Sequence, residues 1–209
     1  MAVSQADLLA WIDRLQQIYA ENKSYLTELD SAIGDADHGI NMDRGFTAVK
    51  KALADSPPDD IAATMKNTAM TLIKTVGGAS GPLYGTFFLR AGTTCAGKSQ
   101  LQAADVLEMF DTGVQGIIQR GKAQLEDKTM VDAWLPALDA MKAAVEANAS
   151  LGDMLQQGAA AAEQGMKNTI PLVARKGRAS YLGERSAGHQ DPGATSTHLM
   201  LRAAADLWS

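Results

Sequence analysis

The sequence predicts an all-α protein, a single domain over residues 1–209 with about eight antiparallel amphipathic helices. Three observations support this prediction. Apolar residues recur at helical spacing almost everywhere in the chain. Hydrophobic residues make up 46% of the chain but aromatic residues only 5%, so the core must come from small and aliphatic side chains and ten Met residues, a mixture that favours helices. No segment combines sustained apolar–polar alternation with β-branched enrichment.

Each helix is predicted from an apolar stripe and its boundary signals. In chain order the stripes run over residues 8–19, 42–53, 61–76, 83–91, 106–118, 130–145, 151–166 and 199–207. Ser4 is a candidate N-cap of the first helix, and the two prolines of DSPPDD end the second. Gly77 and Gly78 end the third helix, Gly121 ends the fifth, and the last begins after Pro192.

Three connections are longer or richer in glycine and charge than a helical bundle needs. They are LDSAIGDADHGINMDRG, VGGASGPLYG and ARKGRASYLGERSAGHQDPGA. Helix connections in bundles usually need only about 2–8 residues. We therefore expect a functional site where these loops meet.

The bulk charge limits the classes of partner. A net charge of −5 and a pI of about 5.2 argue against nucleic acid and against an anionic membrane as partners. The single cysteine, Cys95, permits no internal disulfide, as expected in a reducing cytosol. The N-terminal sequence lacks the features of a signal peptide, and no stretch approaches the roughly 18 apolar residues of a membrane span. We expect a cytoplasmic protein.

The stretch GTTCAGKS, residues 92–99, matches the Walker A pattern letter by letter. A P-loop needs a strand that delivers the glycine loop to a helix, but the sequence offers no second parallel strand to pair with one. It also offers no apolar run ending in a magnesium-binding Asp. We interpret the match as coincidence, with Lys98 and Ser99 in a solvated turn and Ser99 a candidate cap of the next helix. The competing hypothesis is a P-loop ATPase that uses Lys98.

The loop LDSAIGDADHGIN places Asp30, Asp35 and Asp37 within eight residues, interleaved with glycines. Two like charges about 4 Å apart repel by roughly 4 kcal/mol at an effective dielectric constant near 20, so such a cluster favours a bound cation. An EF-hand is excluded because Phe46 stands where the bidentate Glu should be, and zinc is disfavoured because His38 is the one nearby imidazole. Hard oxygen ligands suit Mg²⁺. The alternative is a loop of solvated acids.

The other two loops offer groups that bind phosphate. GGASG could supply backbone amides and the Ser80 hydroxyl to an anion. Arg175, Lys176, Arg178 and Arg185 could supply cations to phosphate oxygens. Each loop could equally be a structural turn, but together they favour a magnesium–phosphate site.

Four motifs resemble those of a known family. GDADHGINMDRG, GGASGPLYG, EDKTMVDAW and GRASYLGERSAGHQDPGA, in this order, are similar to the nucleotide-binding L subunits of dihydroxyacetone kinases. One departure is Ala36, at a position where the family often has Gly. The resemblance covers essentially the whole chain and implies a barrel of eight antiparallel helices with a nucleotide bound at one end.

The resemblance also implies roles for individual residues. Two Mg²⁺ ions would be held by Asp30, Asp35 and Asp37, with no catalytic residue beyond this metal–nucleotide site. The adenine pocket would contain Gly121, Leu125 and Met130. The remaining contacts to ADP or ATP would come from His38, Gly39, Ile40, Asn41, Ala79, Ser80, Arg178, Asp191, Pro192 and Gly193. We expect His189 to orient its loop and His198 to be structural.

The family contains fused kinases that use free ATP and stand-alone subunits that keep ADP bound. The predicted helices occupy the sequence from end to end, which leaves no room for a substrate domain and favours the stand-alone type. Its partners would be a dihydroxyacetone-binding subunit (DhaK) and a phosphohistidine protein of the phosphotransferase system (DhaM), with a homodimer and a transcriptional regulator as further expectations. The alternatives are an ATP-exchanging L domain and a sensor of nucleotide state.

Overall fold

The computed structural model describes residues 2–209 and consists mainly of helices. The α-helices are α1 Gln5–Glu21, α2 Lys23–Ile33, α3 His38–Asp55, α4 Ile61–Thr75, α5 Ser80–Thr94, α6 Ala103–Gly121, α7 Val131–Glu146, α8 Leu151–Asn168 and α9 Pro192–Leu207. A 3-10 segment, Arg178–Ser186, lies between α8 and α9 and is interrupted at Gly183. The two-residue strands β1 (Val3–Ser4) and β2 (Gln100–Leu101) pair antiparallel. Across residues 2–209, none of these helices has the length and apolar character to cross a membrane.

Eight of the helices form a closed ring. Each helix of the ring packs against the next, and the last packs against the first, in the order α1, α3, α4, α5, α6, α7, α8 and α9. The ring of helices encloses an aromatic core around Trp11. Measured between ring centroids, Trp11 lies 5.2 Å from Trp208, 5.9 Å from Phe88 and 6.0 Å from Phe110. The predicted all-α fold is confirmed.

The helix α2 was not predicted from the sequence. It packs on α3, α9 and the 3-10 segment, and it includes the first residues of the stretch that the sequence analysis treated as a loop. Its buried residues are Leu26, Asp30 and Ile33, so the middle position of its buried stripe is an acid. An apolar stripe this narrow gives almost no periodic signal.

Local capping explains where two of the ring helices begin. The Ser4 side chain accepts a hydrogen bond from the backbone N–H of Asp7 (3.3 Å), and the Asp7 carboxylate accepts from the N–H of Ser4 (2.8 Å), which forms a capping box at α1. At α9 the Asp191 carboxylate accepts from the N–H of Ala194 (2.7 Å), and Pro192 occupies the first helical turn. The predicted starts at Ser4 and Pro192 are confirmed.

Candidate functional site

The starts of four helices meet in one cleft. Residues 37–38, 79–80, 130 and 191–193, at the beginnings of α3, α5, α7 and α9, line a space of about 770 Å³ that includes its open mouth. These are alternate members of the ring, so antiparallel neighbours bring their N-termini to the same end. The first backbone N–H groups of a helix lack intrahelical partners and carry the positive end of its dipole. This end of the ring is therefore suited to bind an anion.

Three carboxylates lie at the edge of this cleft. Asp30 comes from the last turn of α2, and Asp35 and Asp37 come from the connection to α3; one oxygen of each lies within 4.8 Å of the others. Asp30 is buried, and its Oδ2 accepts hydrogen bonds from the backbone N–H groups of Asp37 (2.8 Å) and His38 (3.1 Å). A Cβ at Gly34 would overlap the Asp30 carboxylate, so the tight connection requires glycine there.

Arg178 supplies a cation to this cluster. Arg178 is the first residue of the 3-10 segment, and its guanidinium Nε lies 2.8 Å from Oδ2 of Asp35. Between Asp35 and Asp37 the backbone of Ala36 is left-handed (φ 59°), a conformation that costs a non-glycine residue roughly 1–2 kcal/mol. A glycine, which the resemblance implies for many family members at this position, would avoid this cost. The three hard oxygen donors and the neighbouring anion-binding helix starts form a set that fits a magnesium–phosphate complex.

His38 is buried between two hydroxyl groups behind the cleft. Its Nδ1 lies 3.2 Å from Ser80 Oγ, and its Nε2 lies 2.9 Å from Ser196 Oγ. Burial lowers the pKa of His38 to about 4, although the negative charges of Asp30 and Asp37 oppose this shift. The imidazole is therefore neutral at physiological pH.

Asp191 lies deep in the cleft as the N-cap of α9. Burial raises its pKa to about 7, and the charges of Asp132 and Asp30 act in the same direction. The hydrogen bond from Ala194 and the charge of Lys128 oppose the shift. The Asp191 carboxyl is thus near its titration midpoint at neutral pH.

Lys128 is a cleft residue that the sequence analysis did not single out. Its side chain is buried, and its Nζ donates to the backbone carbonyls of Thr169 (2.6 Å) and His189. These carbonyls lie at the two ends of the long connection between α8 and α9, so Lys128 ties them together. The lysine is part of the quoted motif EDKTMVDAW, but sequence alone does not show that a lysine is buried. Gly77 and Gly78, from the predicted anion-binding stretch GGASG, also line the cleft. Other lining residues that we did not predict are Ile33, Gly34, Leu83, Thr129, Gly177 and Ala179.

An apolar pocket adjoins the cleft at the starts of α5 and α7. Its lining includes Pro82, Ile117, Gly121 and Ala123, and it shares Met130 with the cleft. The open volume is about 740 Å³. Two of the three residues predicted for an adenine pocket, Gly121 and Met130, lie here, and the pocket has the apolar character that a flat base requires.

Four of the contact residues that the resemblance implied line neither the cleft nor the apolar pocket. Leu125 is half-exposed and lines a separate pocket, and Ile40 is 43% exposed in a groove beside α2. A Cβ at Gly39 would overlap the carbonyl of Lys23, so this glycine serves the close packing of α3 on α2. The Asn41 side chain accepts a hydrogen bond from Arg44 Nη2 (2.5 Å). Of the four basic residues expected to bind phosphate, Lys176 and Arg178 line the cleft, and Arg175 and Arg185 do not. The remaining residues that the resemblance implied line the cleft or the apolar pocket.

The Walker-like stretch lies at the other end of α5. Residues 92–94 finish this helix, whose 15 residues place its two ends roughly 20 Å apart. Lys98 Nζ pairs with Asp105 (2.6 Å) and Glu108 (3.5 Å) rather than facing the cleft. The suggestion that Ser99 caps the next helix is wrong, because the N-cap of α6 is Gln102.

His189 and His198 lie apart from the cleft lining. The His189 side chain is exposed, and its backbone carbonyl accepts the hydrogen bond from Lys128. His198 lies within α9, and burial lowers its pKa. Neither imidazole contributes to the geometry described above.

Known proteins are similar to this chain in sequence. A family model described as the DAK2 domain matches residues 32–206. The chain is 46% identical over 205 residues to the PEP-dependent dihydroxyacetone kinase, ADP-binding subunit DhaL, of Escherichia coli (strain K12), covering 98% of each chain. It is 42% identical over 189 residues to the PTS-dependent dihydroxyacetone kinase, ADP-binding subunit DhaL, of Lactococcus lactis subsp. lactis (strain IL1403), covering 90% of each chain.

A solved structure shares the fold. The crystal structure of the dihydroxyacetone kinase from C. freundii in complex with AMP-PNP and Mg2+ matches with a TM-score of 0.75 and 24% identity, over 99% of this chain and 34% of that one. The present chain thus spans about a third of that kinase, and the likeness shows a common fold. Because the family model spans most of the sequence and the bacterial relatives match almost from end to end, the chain belongs to the DAK2 domain family.

Proposed function

We propose that this chain is the ADP-binding subunit of a phosphoenolpyruvate-dependent dihydroxyacetone kinase, a phosphotransferase. In this role ADP on the chain accepts a phosphoryl group from a phosphohistidine protein of the phosphotransferase system (DhaM). The group then passes to dihydroxyacetone on a separate subunit (DhaK) and gives dihydroxyacetone phosphate. The observation that carries the proposal is the carboxylate cluster beside four helix N-termini, in a chain 46% identical to a DhaL subunit over nearly its full length.

The cleft residues divide between metal and phosphate. We propose that Asp30, Asp35 and Asp37 supply oxygens to two Mg²⁺ ions; in support, one oxygen of each lies within 4.8 Å of the others, close enough to share an ion. When bound, these ions neutralise the phosphates and stabilise the charge that spreads during phosphoryl transfer. The starts of α5 and α9 line the same space, and their backbone N–H groups bind phosphate oxygens, whereas the N–H groups of Asp37 and His38 at the start of α3 already donate to Asp30. Arg178 reaches the site from the 3-10 segment.

The adenine occupies the apolar pocket beside Met130 and Gly121. The ribose and phosphates of a nucleotide bound here would extend into the cleft past the residues that line both spaces, among them Ala79 and Leu83. An apolar pocket next to a charged cleft is the arrangement that a nucleotide needs.

The chain supplies positioning and charge rather than a nucleophile. His38 is neutral, buried and bonded on both ring nitrogens, so it is not available to attack phosphorus. Phosphoryl transfer asks little covalent chemistry of a protein that holds the metal and the phosphates in place. We accordingly assign no catalytic residue beyond the metal–nucleotide site.

The wider setting follows from the same proposal. Residues 1–209 act as one domain in the cytoplasm, where the buried thiol of Cys95 stays reduced. The partners are DhaK and DhaM, with a homodimer and a transcriptional regulator as further associations.

Native mass spectrometry of the purified chain tests this function. We expect ADP and magnesium to co-purify, and chelation of the metal to release the nucleotide. Mixed with DhaK, dihydroxyacetone and ATP, the chain should support a single turnover unless DhaM and phosphoenolpyruvate recharge it. Sustained turnover with bulk ATP would instead show an ATP-exchanging kinase domain. Nucleotide binding without any transfer to dihydroxyacetone would favour a sensor, and no binding at all would refute the proposal.

A further inference from the structure

A buried polar network joins three of the helix starts that line the cleft. His38, at the start of α3, contacts Ser80 Oγ in α5 through Nδ1 and Ser196 Oγ in α9 through Nε2. Ser196 Oγ in turn lies 2.7 Å from the phenol oxygen of Tyr84 in α5, which also lies 3.2 Å from Thr197 Oγ1. The side chains of Tyr84, Ser196 and Thr197 are fully or almost fully buried, so no solvent competes for these bonds.

Ser196 has one hydroxyl proton and three partners. The third partner is the backbone carbonyl of Gly193 at 3.1 Å, which can only accept. Only one assignment of donors and acceptors satisfies all three contacts. Ser196 donates to the Gly193 carbonyl, and both the Tyr84 hydroxyl and His38 Nε2 donate to Ser196 Oγ.

This arrangement fixes the tautomer of His38. The His38 ring is buried, and both of its nitrogens face hydroxyl groups rather than carboxylates, so nothing in contact with it stabilises a second ring proton. With one ring proton, placed on Nε2, the ring leaves Nδ1 as an acceptor. The partner of Nδ1 is the Ser80 hydroxyl, which must then donate its proton to His38. With that proton engaged, the Ser80 side chain has none to give to an anion in the cleft.

We propose that Tyr84 and Ser196 are positioning residues of the nucleotide site, which act by fixing the Nε2–H tautomer of His38. In this tautomer, Nδ1 of His38 accepts the hydroxyl proton of Ser80. The diphosphate is then bound at this point by the backbone N–H groups of the first turn of α5. The network also fixes the starts of α3, α5 and α9 relative to one another, which sets the spacing of the amides that face the phosphates. The inference rests on the proposed function for the identity of the anion.

The tautomer can be observed directly by ¹⁵N NMR of the histidine rings in the nucleotide-free full chain at neutral pH. The chain has three histidines, and a His38→Asn variant identifies the signals of His38 by their loss. We expect Nε2 to be protonated and Nδ1 to be unprotonated. The opposite tautomer would overturn the proposal, whether or not the chain binds ADP.

A matched pair of tyrosine variants separates positioning from stability. Tyr84→Phe removes the donor to Ser196 Oγ, and we expect it to shift the His38 ring signals and weaken ADP binding about three- to tenfold, the worth of one neutral hydrogen bond. Tyr19→Phe removes an equally buried hydroxyl, which donates to the backbone carbonyl of Ser196 (2.9 Å). This control should lose a similar amount of stability but keep the His38 signals and the ADP affinity. If both variants behave alike, the network has only a structural role.

A double-mutant cycle tests whether the effect passes through His38. Ser80 and Ser196 lie on different helices and both contact the imidazole. We expect Ser80→Ala and Ser196→Ala to be non-additive in ADP affinity, because either one disrupts the same chain of donors. Additive effects would contradict the proposal. If the wild-type chain binds no ADP, the proposed function fails, and the ring signals still decide the tautomer.

Discussion

The Arg178 guanidinium and the Asp35 carboxylate lie 2.8 Å apart at the mouth of the cleft. The arginine belongs to the 3-10 segment, and the carboxylate is one of the three oxygen donors assigned to the metal. A cation that binds Asp35 must therefore compete with the guanidinium, whereas a phosphate in the cleft offers Arg178 a new partner.

We predict opposite effects of Arg178→Gln on metal and nucleotide. Without nucleotide, removal of the competing cation should tighten Mn²⁺ binding by about two- to fivefold, a modest gain because the pair is partly solvated. With ADP present, the variant should bind Mn²⁺–ADP more weakly. Titration calorimetry with and without ADP measures both effects. Arg185→Gln, in the same 3-10 segment but outside the cleft lining, is the control, and an equal response of the two variants would exclude the competition.

Asp35→Ala and Lys98→Ala distinguish the carboxylate cleft from the Walker-like stretch. Asp35 is a proposed metal ligand, so its loss should weaken ADP binding by at least about 100-fold in the presence of magnesium. Lys98 pairs with Asp105 and Glu108 at the far end of α5, and its loss should leave ADP binding unchanged. Retention of ADP through purification gives the measurement. Loss of ADP in the lysine variant alone would move the nucleotide site to Lys98.

Helical periodicity explains why the fold could be predicted and α2 could not. The ring helices bury several apolar residues at helical spacing, as in α1, where Leu8, Trp11 and Leu15 are buried. The buried stripe of α2 contains Asp30, which the sequence can only show as an acid in a loop-like stretch. The buried carboxylate of the proposed metal site therefore hides the helix that carries it.

The same periodicity explains which of the predicted contact residues lie outside the cleft lining. Residues 38–41 are consecutive on α3, and successive positions of a helix turn by about 100°, so they cannot all face one cleft. His38 faces inward, and Ile40 points to the opposite side, where it is exposed. Burial of Lys128 depends on contacts with carbonyls about 40 and 60 residues away, which no local pattern encodes.

Asp191 should make stability depend on pH. Its pKa is raised from 3.8 to about 7 in the fold, so between these values the folded chain holds a proton that the unfolded chain has lost. Stability should therefore fall as pH rises from 4 to 7, and Asp191→Asn should remove this contribution. We expect the free energy of unfolding of the wild type, relative to the variant, to fall by more than about 1 kcal/mol over this range.

Urea unfolding of the nucleotide-free and metal-free chains at several pH values provides the measurement for Asp191. His38 has the opposite effect on stability: because its pKa is lowered in the fold, stability rises as pH increases from about 4 to 6.5. The comparison of wild type with Asp191→Asn removes this shared contribution. Parallel stability curves for the two chains would show that Asp191 does not titrate in this range.

Lys128→Met should loosen the connection between α8 and α9. The substitution keeps the length of the side chain but leaves the carbonyls of Thr169 and His189 without their buried donor, which should cost about 2–3 kcal/mol of stability. Because this connection carries Arg178 and leads into Asp191, ADP binding should weaken as well. Hydrogen exchange should increase specifically over residues 169–191.

Lys122→Met is the matched control for Lys128→Met. Lys122 also has a left-handed backbone (φ 53° against 62° for Lys128), but its side chain is exposed. Both variants thus replace a lysine whose backbone is left-handed by methionine, but only Lys128→Met removes buried hydrogen bonds. We expect the control to keep wild-type exchange over residues 169–191 and wild-type ADP affinity. If exchange over that range rises equally in both variants, backbone strain rather than the buried ammonium group holds the connection in place.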